Sequence, residues 1–486
     1  MREEAALIEE DFLYNQLARK LRRNIQDGVL KTGEKLPSVR VLSKEQGVSL
    51  STAFKAYTQL EIQGFVEARP KSGYYVSKRK TRPLFSAETI EERIPGEASV
   101  DDIVAMVYGN MNAEGLIRLS IAVPSAELLP LKKLSKTLIE SVRESADACT
   151  GYESTQGNAR LRKQVARYAF NWGGNVTEND VVTTQGCMEA LVFCLKAVAE
   201  PGDTIAIDTP AYFGIINVMK SLGLKVLEIP THPEEGVSIE YLQNAIEKVQ
   251  IKACLFVTNF SNPLGCSLPD EKKRQLVELL AARDIPLIED DIYGELYFGS
   301  ARPRTCKSFD RKGLVLLCSS ISKSLAPGYR VGWCIPGKFK NKVISIKLMH
   351  TVSSATPNQA AVGRFFETGR YDLHMRNLRK ALHTQSLIYT RAISEYFPES
   401  TKVSQPRGGY VLWLELDPQI DAFELFKLGL KYNISISPGH IFSTDARFTN
   451  CIRISFGAPL DSQIEFALKT LGTLARDLIR KNEQKP

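Results

Sequence analysis

Short, almost continuously apolar runs recur in the C-terminal part of the chain, and they constrain its fold more than any other feature. Longer segments with helical periodicity, such as DEKKRQLVELLAARD (270–284), separate these runs. The runs are TIAID (204–208), ACLFVTN (253–259), PLIEDD (286–291) and LVLLCSS (314–320). Strands that are apolar on both faces belong to parallel sheets covered by helices on both sides. The pattern therefore predicts an α/β domain with a mostly parallel sheet.

Polar residues follow each run, and ligands of such folds bind at the carboxyl ends of the strands. They are Tyr212 after TIAID, Asn262 after ACLFVTN, Asp290 at the end of PLIEDD and Lys323 after LVLLCSS, and Gly186 stands where a further strand-like stretch, VVTTQ (181–185), meets a helical pattern. Taken singly, each has a structural interpretation: a turn, a packed aromatic ring, an Asn-Pro turn, a strand that reaches solvent or a surface lysine. Together they indicate a site, because the serines and Arg330 can hold a phosphate while the lysine forms an imine.

The N-terminal segment shows a different pattern. Leucines at 13, 17 and 21 have helical spacing and Gly28 ends the helix, while a short helix from about 39 and a second over 50–62 flank Gly47. Ser49 is a natural N-cap of that second helix. The stretch VEARPKSGYYVS (66–77) then alternates and turns as a two-stranded wing does. This order predicts a winged helix-turn-helix.

The positive charge of the chain is concentrated in this segment. Residues 11–82 contain fifteen Lys or Arg residues and six Asp or Glu residues, a net charge of +9, whereas the whole chain carries +8. A basic helix-turn-helix favours nucleic acid as the partner. A basic dimerisation or protein-docking module remains the alternative.

Composition changes again between the two parts. Residues 78–112 contain mixed charges, Pro83, Pro95 and Gly96, and are predicted to be an inter-domain linker between a DNA-binding domain at 1–77 and the α/β domain at 113–486. Nine scattered cysteines without a CxxC pair argue against a metal site and favour reduced thiols in a cytoplasmic protein. There is no apolar run of about 18 residues, so no membrane partner is expected.

From about residue 113 onward the ordered motifs resemble those of fold type I pyridoxal-phosphate (PLP) aminotransferases. The resemblance implies that Lys323 forms the internal aldimine and that Asp290 pairs with the pyridine nitrogen of the cofactor. It also implies that Arg453, in CIRISFG, binds a substrate carboxylate. The remaining cofactor-binding residues implied are Gly186, Cys187, Met188, Tyr212, Asn262, Tyr293, Ser320, Ser322, Arg330 and, from the partner subunit of a homodimer, Tyr152.

The first 77 residues resemble GntR-type winged helix-turn-helix regulators, and the whole chain resembles their MocR subfamily. The resemblance assigns double-stranded DNA contacts to Arg40, Ser49, Ser51, Thr52 and Lys55 and, at the wing, to Lys71, Ser72 and Gly73. Leu50 stands where many GntR-type proteins have an arginine aimed at a base, which puts that readout in doubt and makes contact with a thymine methyl an alternative.

Two functions follow from these resemblances. The first is a PLP-binding transcriptional regulator that senses an amino compound, a carboxylate effector or PLP itself through an aldimine at Lys323, as a homodimer expected to be head-to-tail. The second is a working aminotransferase that carries a DNA-binding head. Lys323, Asp290, Tyr293 and Arg453 are all in place for transamination, so the sequence leaves both functions open.

Overall fold

The computed structural model describes residues 13–62, 64–69, 72–77, 101–109, 115–144 and 150–483. The chain forms two compact units, Met1–Pro83 and Leu84–Pro486. Each unit has its own apolar core.

The N-terminal unit consists of a helical part and a two-stranded hairpin. Its elements are α1 (Leu13–Gln26), α2 (Val39–Glu45), α3 (Leu50–Ile62), β1 (Val66–Arg69) and β2 (Gly73–Val76). The strands pair antiparallel, with Val66 opposite Val76. The predicted winged helix-turn-helix is confirmed.

Helix α3 is the centre of this unit because its inward face is completely buried. Ala53, Ala56, Tyr57 and Leu60 are all 0% exposed, at the spacing that puts them on one side of a helix. The Tyr57 hydroxyl donates to the carbonyl of Pro37 at 2.7 Å, and its ring stacks on Tyr74 of the wing. Tyr57 therefore ties the helices to the hairpin.

The larger unit is built on strands that the apolar runs predicted. Its strands are β3 (Ile117–Arg118), β4 (Val182–Thr184), β5 (Thr204–Thr209), β6 (Lys225–His232), β7 (Gly236–Val237), β8 (Ile251–Phe256), β9 (Leu287–Asp290), β10 (Val315–Ser320), β11 (Gly332–Ile335), β12 (Lys402–Val403), β13 (Val411–Glu415), β14 (Ile434–Ser435), β15 (Ser437–Pro438) and β16 (Cys451–Ser455). Its helices are α4 (Asp101–Gly109), α5 (Leu131–Glu144), α6 (Ala159–Ala169), α7 (Cys187–Val198), α8 (Phe213–Ser221), α9 (Ile239–Lys248), α10 (Asp270–Ala282), α11 (Lys340–Thr351), α12 (Thr356–Glu367), α13 (Arg370–Tyr396), α14 (Ala422–Leu430) and α15 (Ser462–Glu483).

The large sheet has the strand order β4-β11-β10-β9-β8-β5-β6-β7. The strands from β10 through β6 in this order are mutually parallel, while β4, β11 and β7 join antiparallel. Alternate residues of the central strands face different apolar clusters, one shared with α7, α8 and α11 and the other with α9 and α10. The predicted α/β domain with a mostly parallel sheet is confirmed.

A smaller antiparallel sheet, in the order β12-β13-β16-β15, and the parallel pair β14-β3 form the rest of the unit. Their apolar residues join those of α13, α14 and α15 in one core. The small sheet carries Arg453 on β16.

The structure differs from the predicted linker at residues 101–109. This segment is helix α4, and its buried Val107 belongs to the apolar core of the larger unit, so this part of the predicted linker packs with that unit. Apolar residues at 103, 104, 107 and 108 have helical spacing, but the segment is short and follows a charged stretch in which no period is visible. The other residues of the predicted linker, 78–100 and 110–112, lie outside the described residues.

None of the helices in the described ranges has the length and apolar character that crossing a bilayer requires. Within the same ranges, no cluster of three or more His, Cys, Asp or Glu side chains is arranged to hold a metal ion. The eight cysteines that the structure describes carry free, buried thiols.

Candidate functional site

The predicted site residues of the larger unit converge at one edge of the large sheet. Tyr212 follows β5, Asn262 follows β8, Asp290 ends β9 and Lys323 follows β10. Because these strands are parallel and adjacent, their carboxyl ends meet at the same edge.

Lys323 is half-buried beside a carbonyl group from a distant part of the chain. Its Nζ donates to the carbonyl of Ala122 at 2.7 Å, and the Tyr410 hydroxyl donates to the same oxygen at 3.2 Å. Burial, reinforced by the positive charge of Arg453, lowers the pKa of Lys323 to about 8, although Asp290 opposes the shift. A lysine with this pKa is neutral far more often near pH 7 than a surface lysine, and the neutral amine is the nucleophile.

Asp290 is a buried carboxylate at the end of β9. Its Oδ1 accepts from the Cys187 thiol at 3.4 Å and from the backbone N–H of Ile292 at 3.1 Å. No ion pair to Asp290 is formed by any described residue, whereas the adjacent Asp291 pairs with Arg302. Burial raises the pKa of Asp290 to about 6. A buried carboxylate in this state is suited to a protonated ring nitrogen, which would supply the missing positive charge.

The start of α7 and the loop after β10 form a cradle for an anion. Gly186 precedes α7 with φ 91°, and no side chain caps the first turn in the described structure. Arg330 donates through Nη2 to the carbonyl of Gln185 at 2.9 Å and through Nη1 to Ser322 Oγ at 3.3 Å. A helix N-terminus with open amides beside a guanidinium binds phosphate well.

Close packing explains why residue 186 is glycine. A Cβ atom placed there would lie 2.5 Å from Nη2 of Arg330, in a backbone conformation that L side chains rarely adopt. Ser320 lies at the other side of the same loop, where its Oγ accepts from the backbone N–H of Ser322 at 3.2 Å. Cys187 and Met188 begin α7, so their backbone amides belong to the open first turn.

Aromatic and amide side chains line the space between Lys323 and the small sheet. Asn262 donates to the Tyr293 hydroxyl at 3.5 Å, and the Tyr293 ring lies 5.6 Å from that of Tyr410. Burial raises the pKa of Tyr293 and raises that of Tyr212 to about 12, so both hydroxyls stay protonated. The Tyr212 ring contacts that of Phe213 edge to face, with 4.6 Å between the ring centroids.

Arg453 is 1% exposed and has no carboxylate partner among the described residues. Its guanidinium donates to neutral oxygens only: the Asn262 side chain at 3.4 Å, the Ser437 hydroxyl at 2.8 Å, the Tyr108 hydroxyl at 3.4 Å and the Ser120 carbonyl. Its Nε has no hydrogen-bond partner in the described structure. A buried cation without an anion is costly to fold, so this arrangement favours an anionic ligand.

Sequence reasoning missed several residues of this cluster. Ser120, Ala122, Ser437 and Tyr410 contribute hydrogen-bonding groups, and Tyr108 lies on α4, inside the predicted linker. The spacing of apolar residues 103–108 could have revealed α4. No local pattern marks the others, because each meets the site only through tertiary folding.

Tyr152 stands apart from the cluster. It is 89% exposed, so it does not belong to the buried site of its own chain. An exposed tyrosine in this position is free to contact another molecule.

The predicted DNA-contacting residues lie on α2, at the start of α3 and on the wing. Arg40, Ser51 and Lys55 are exposed, and the Lys55 ammonium lies 5.5 Å from the Tyr14 ring. Ser49 Oγ accepts from the backbone N–H of Thr52 at 3.0 Å, as the predicted N-cap does, and lies 2.8 Å from the Ser51 and Thr52 hydroxyls. The capping bond occupies Ser49 and fixes the start of α3.

At the wing, Ser72 Oγ lies 2.7 Å from the Tyr75 hydroxyl, and Gly73 adopts φ 103°. The left-handed backbone at Gly73 allows the tight turn into β2. Lys71, the third predicted wing residue, lies outside the described residues.

Two family models match the chain. One, described as aminotransferase class I and II, matches residues 114–471, and the other, described as bacterial regulatory proteins of the gntR family, matches residues 13–76. Two Escherichia coli K12 proteins are similar over nearly their whole length: the uncharacterized HTH-type transcriptional regulators YjiR and YdcR. YjiR is 38% identical, covering 94% of this chain and 98% of its own, and YdcR is 37% identical, covering 96% and 99%.

Solved aminotransferase structures share the fold of the larger unit. The α-aminoadipate aminotransferase LysN of Thermus thermophilus, solved with N-(5'-phosphopyridoxyl)-L-leucine, superimposes with a TM-score of 0.72 at 24% identity. The match covers 79% of this chain and 98% of that one. At this level of identity the similarity establishes the fold.

Proposed function

Because the chain belongs to the MocR subfamily of GntR-type transcriptional regulators, we propose that a small amino compound bound at the strand-end site controls its binding to DNA. The protein is an HTH-type regulator with a PLP-binding, aminotransferase-like domain. As a DNA-binding protein of bacterial type, it acts in the cytoplasm. The observation that carries the proposal is that two buried charged groups, Asp290 and Arg453, both act on Lys323 while neither has an oppositely charged partner among the described residues.

The chain's own residues suit PLP. Asp290 would hold the pyridine nitrogen, Tyr212 would stack on the ring, and Asn262 and Tyr293 would bond the ring hydroxyl. Arg330, Ser320, Ser322 and the backbone amides of Gly186, Cys187 and Met188 would hold the phosphate. When bound, PLP supplies an aldehyde that condenses with amines and a ring that withdraws electrons.

Lys323 supplies the amine that competes with the effector. Its lowered pKa keeps a useful fraction neutral near pH 7, and its hydrogen bond to Ala122 holds Nζ in one position when the amine is free. The same amine can take up or release a proton at the α-carbon of a bound amino compound. Arg453 explains a preference for effectors with a carboxylate, which its two-nitrogen fork can bind at both oxygens.

We propose a homodimer, expected to be head-to-tail, as the functional unit. The exposed Tyr152 would then reach the phosphate site of the partner subunit, in keeping with its absence from the site of its own chain. Two DNA-binding heads tethered to one dimer favour paired half-sites, because the second head binds at a raised effective concentration. An effector that alters the position of the small sheet would alter the spacing of the heads.

A matched pair of lysine variants tests the attachment residue. Lys347 is also buried and has a pKa lowered to about 8 by burial, but it donates to the Thr183 carbonyl of β4 at 2.7 Å, whereas Lys323 donates to Ala122. Lys323→Met should lose the visible absorbance of the attached cofactor, while Lys347→Met should keep it. Borohydride reduction of the wild-type protein followed by peptide mapping should mark residue 323. A mark on any other lysine contradicts the proposal.

The regulatory part is tested with the full-length, PLP-loaded protein and DNA from upstream of its own and neighbouring genes. Binding should be selective for sequence. It should also weaken as salt is added, because contacts to DNA phosphates release counterions. Amino acids should change the affinity in the wild-type protein and leave it unchanged in Lys323→Met. If binding shows no sequence preference, the regulator proposal is wrong.

Transamination is the second candidate, favoured by the joint presence of Lys323, Asp290, Tyr293 and Arg453 in one cluster. Multiple turnovers with an amino acid and a keto acid, at about 1 per second or faster, would establish an enzyme. Binding of amino acids without such turnover supports sensing alone.

A further inference from the structure

Helix α3 exposes two large apolar side chains on its outward face. Leu50 is 54% exposed and Phe54 is 53% exposed, and residues four apart lie next to each other on a helix. They cannot serve the core, because Ala53, Ala56, Tyr57 and Leu60 already fill the inward face. A single exposed leucine is ordinary on a protein surface, but an adjacent leucine and phenylalanine on the second helix of a helix-turn-helix form a contact surface.

The surroundings of this pair indicate which partner covers it. Ser51 and Lys55 share the outward face, Arg40 is exposed on α2, and no acidic residue occurs between positions 46 and 60. Because the segment is positively charged, a polyanion is a better partner for it than a protein surface with few acidic residues. An apolar helix face in a basic unit therefore fits the DNA major groove, where thymine presents its C5 methyl group.

We propose that Leu50 and Phe54 read thymine methyl groups, so that apolar contact takes the place of hydrogen bonding to guanine at this part of the operator. The proposal rests on the DNA-binding function above and specifies what that helix recognises. Helix rise places the two side chains about 6 Å apart along the axis, close to two base steps of about 3.4 Å each. Each half-site should then contain two methyl-dependent thymines about two steps apart.

Replacing thymine by deoxyuridine removes the methyl group and leaves base pairing intact. Full-length, PLP-loaded protein first selects preferred duplexes from a random DNA pool. Each thymine of a selected duplex is then replaced singly by deoxyuridine, and the dissociation constant is measured by fluorescence anisotropy at constant salt. Binding should weaken about fourfold at each contacted thymine, which corresponds to about 0.8 kcal/mol for one buried methyl group.

Variants assign each methyl group to a side chain. Leu50→Ala should bind the thymine duplex more weakly than the wild-type protein. It should lose no further affinity when the thymine that Leu50 contacts is replaced by deoxyuridine. Phe54→Ala should behave in the same way at the thymine that Phe54 contacts. Val29→Ala is the matched control, since Val29 is 68% exposed in the same unit but lies outside α3. It should leave both duplexes unchanged. Lys55→Ala should weaken all duplexes alike and reduce the salt dependence.

The outcomes separate this inference from the proposed function. A selected sequence whose thymines all tolerate deoxyuridine within twofold overturns thymine-methyl reading and leaves the regulator intact. A Leu50→Ala variant that keeps the full deoxyuridine penalty, or that changes the sedimentation of the free protein, also overturns it, because the face then contacts protein. A pool without any preferred sequence overturns both.

Discussion

The closest packing in the predicted phosphate site gives a sharp test: Gly186→Ala. The new methyl carbon would lie 2.5 Å from Nη2 of Arg330, and the atom it meets is the end of a flexible side chain. The guanidinium therefore moves, and its bonds to Gln185 and Ser322 break. The perturbation removes the arginine from the anion cradle while the fold around it stays.

Two separate costs follow from this substitution. A residue other than glycine at φ 91° and ψ 173° destabilises the fold by about 1–3 kcal/mol. Loss of a hydrogen bond to a charged group costs about 1.5–3 kcal/mol, so PLP should bind about tenfold to a hundredfold more weakly. The first cost affects unfolding of the cofactor-free protein, and the second affects cofactor affinity.

Gly202→Ala separates the two costs. Gly202 has φ 93°, close to the φ of Gly186, and a Cβ atom there would meet nothing within 4 Å. Both variants should lower the free energy of unfolding of the cofactor-free protein in urea titrations, Gly186→Ala by the larger amount because it also displaces Arg330. Titration with PLP, followed by its absorbance, should show unchanged affinity for Gly202→Ala and weakened affinity for Gly186→Ala. Equal PLP affinities in the two variants would refute the cradle formed by Gly186 and Arg330.

Three further predictions follow from the charges in the site. Asp290→Asn should raise the free energy of unfolding of the cofactor-free protein at pH 8 by on the order of 3 kcal/mol, because a pKa raised from 3.8 to about 6 makes the ionised carboxyl a net cost above pH 6. That gain should vanish below pH 4, and an equal gain at both pH values would contradict it. Arg453→Met should keep the PLP absorbance but bind amino acids thirtyfold or more weakly in spectral titrations, with amines lacking a carboxylate unaffected. Because the pKa of Lys323 is lowered to about 8, capture of PLP by the cofactor-free protein should speed up about tenfold per pH unit and level off above pH 8. A rise that continued to pH 10 would place the nucleophile elsewhere.

Local periodicity was sufficient for the architecture of both units. The apolar runs at 204–208, 253–259, 286–291 and 314–320 became β5, β8, β9 and β10, and the predicted helix over 50–62 is α3 with the same bounds. These predictions succeeded because a strand buried on both faces, or a helix buried on one face, has a characteristic spacing of apolar residues along the sequence. Helix α4 was missed because it has nine residues and follows a charged stretch, so the helical spacing of its apolar residues extends over only about two turns.

The partners of Arg453 show where sequence reasoning ends. Ser120 and Tyr108 lie more than 300 positions away from it in the chain, and Ser437 reaches it from the neighbouring strand. No spacing rule connects such residues, since their contact depends on how the small sheet closes over the end of the large one. Family resemblance did indicate that Arg453 binds a carboxylate. Only the folded chain shows that the described residues provide no anionic partner for this arginine.

The sequence by itself determined the types of chemistry: a lysine, an aspartate, two tyrosines and an arginine at successive strand ends, behind a basic helix-turn-helix. Only the tertiary structure decided their state. The pKa values of Lys323 and Asp290 move toward neutral pH because surrounding protein removes water from both groups, and none of the described residues forms an ion pair with either. The same is true of α3, where Leu50 and Phe54 are exposed because the core is already filled by the opposite face. Desolvation depends on everything that packs around a group, and that information is distributed over the whole chain.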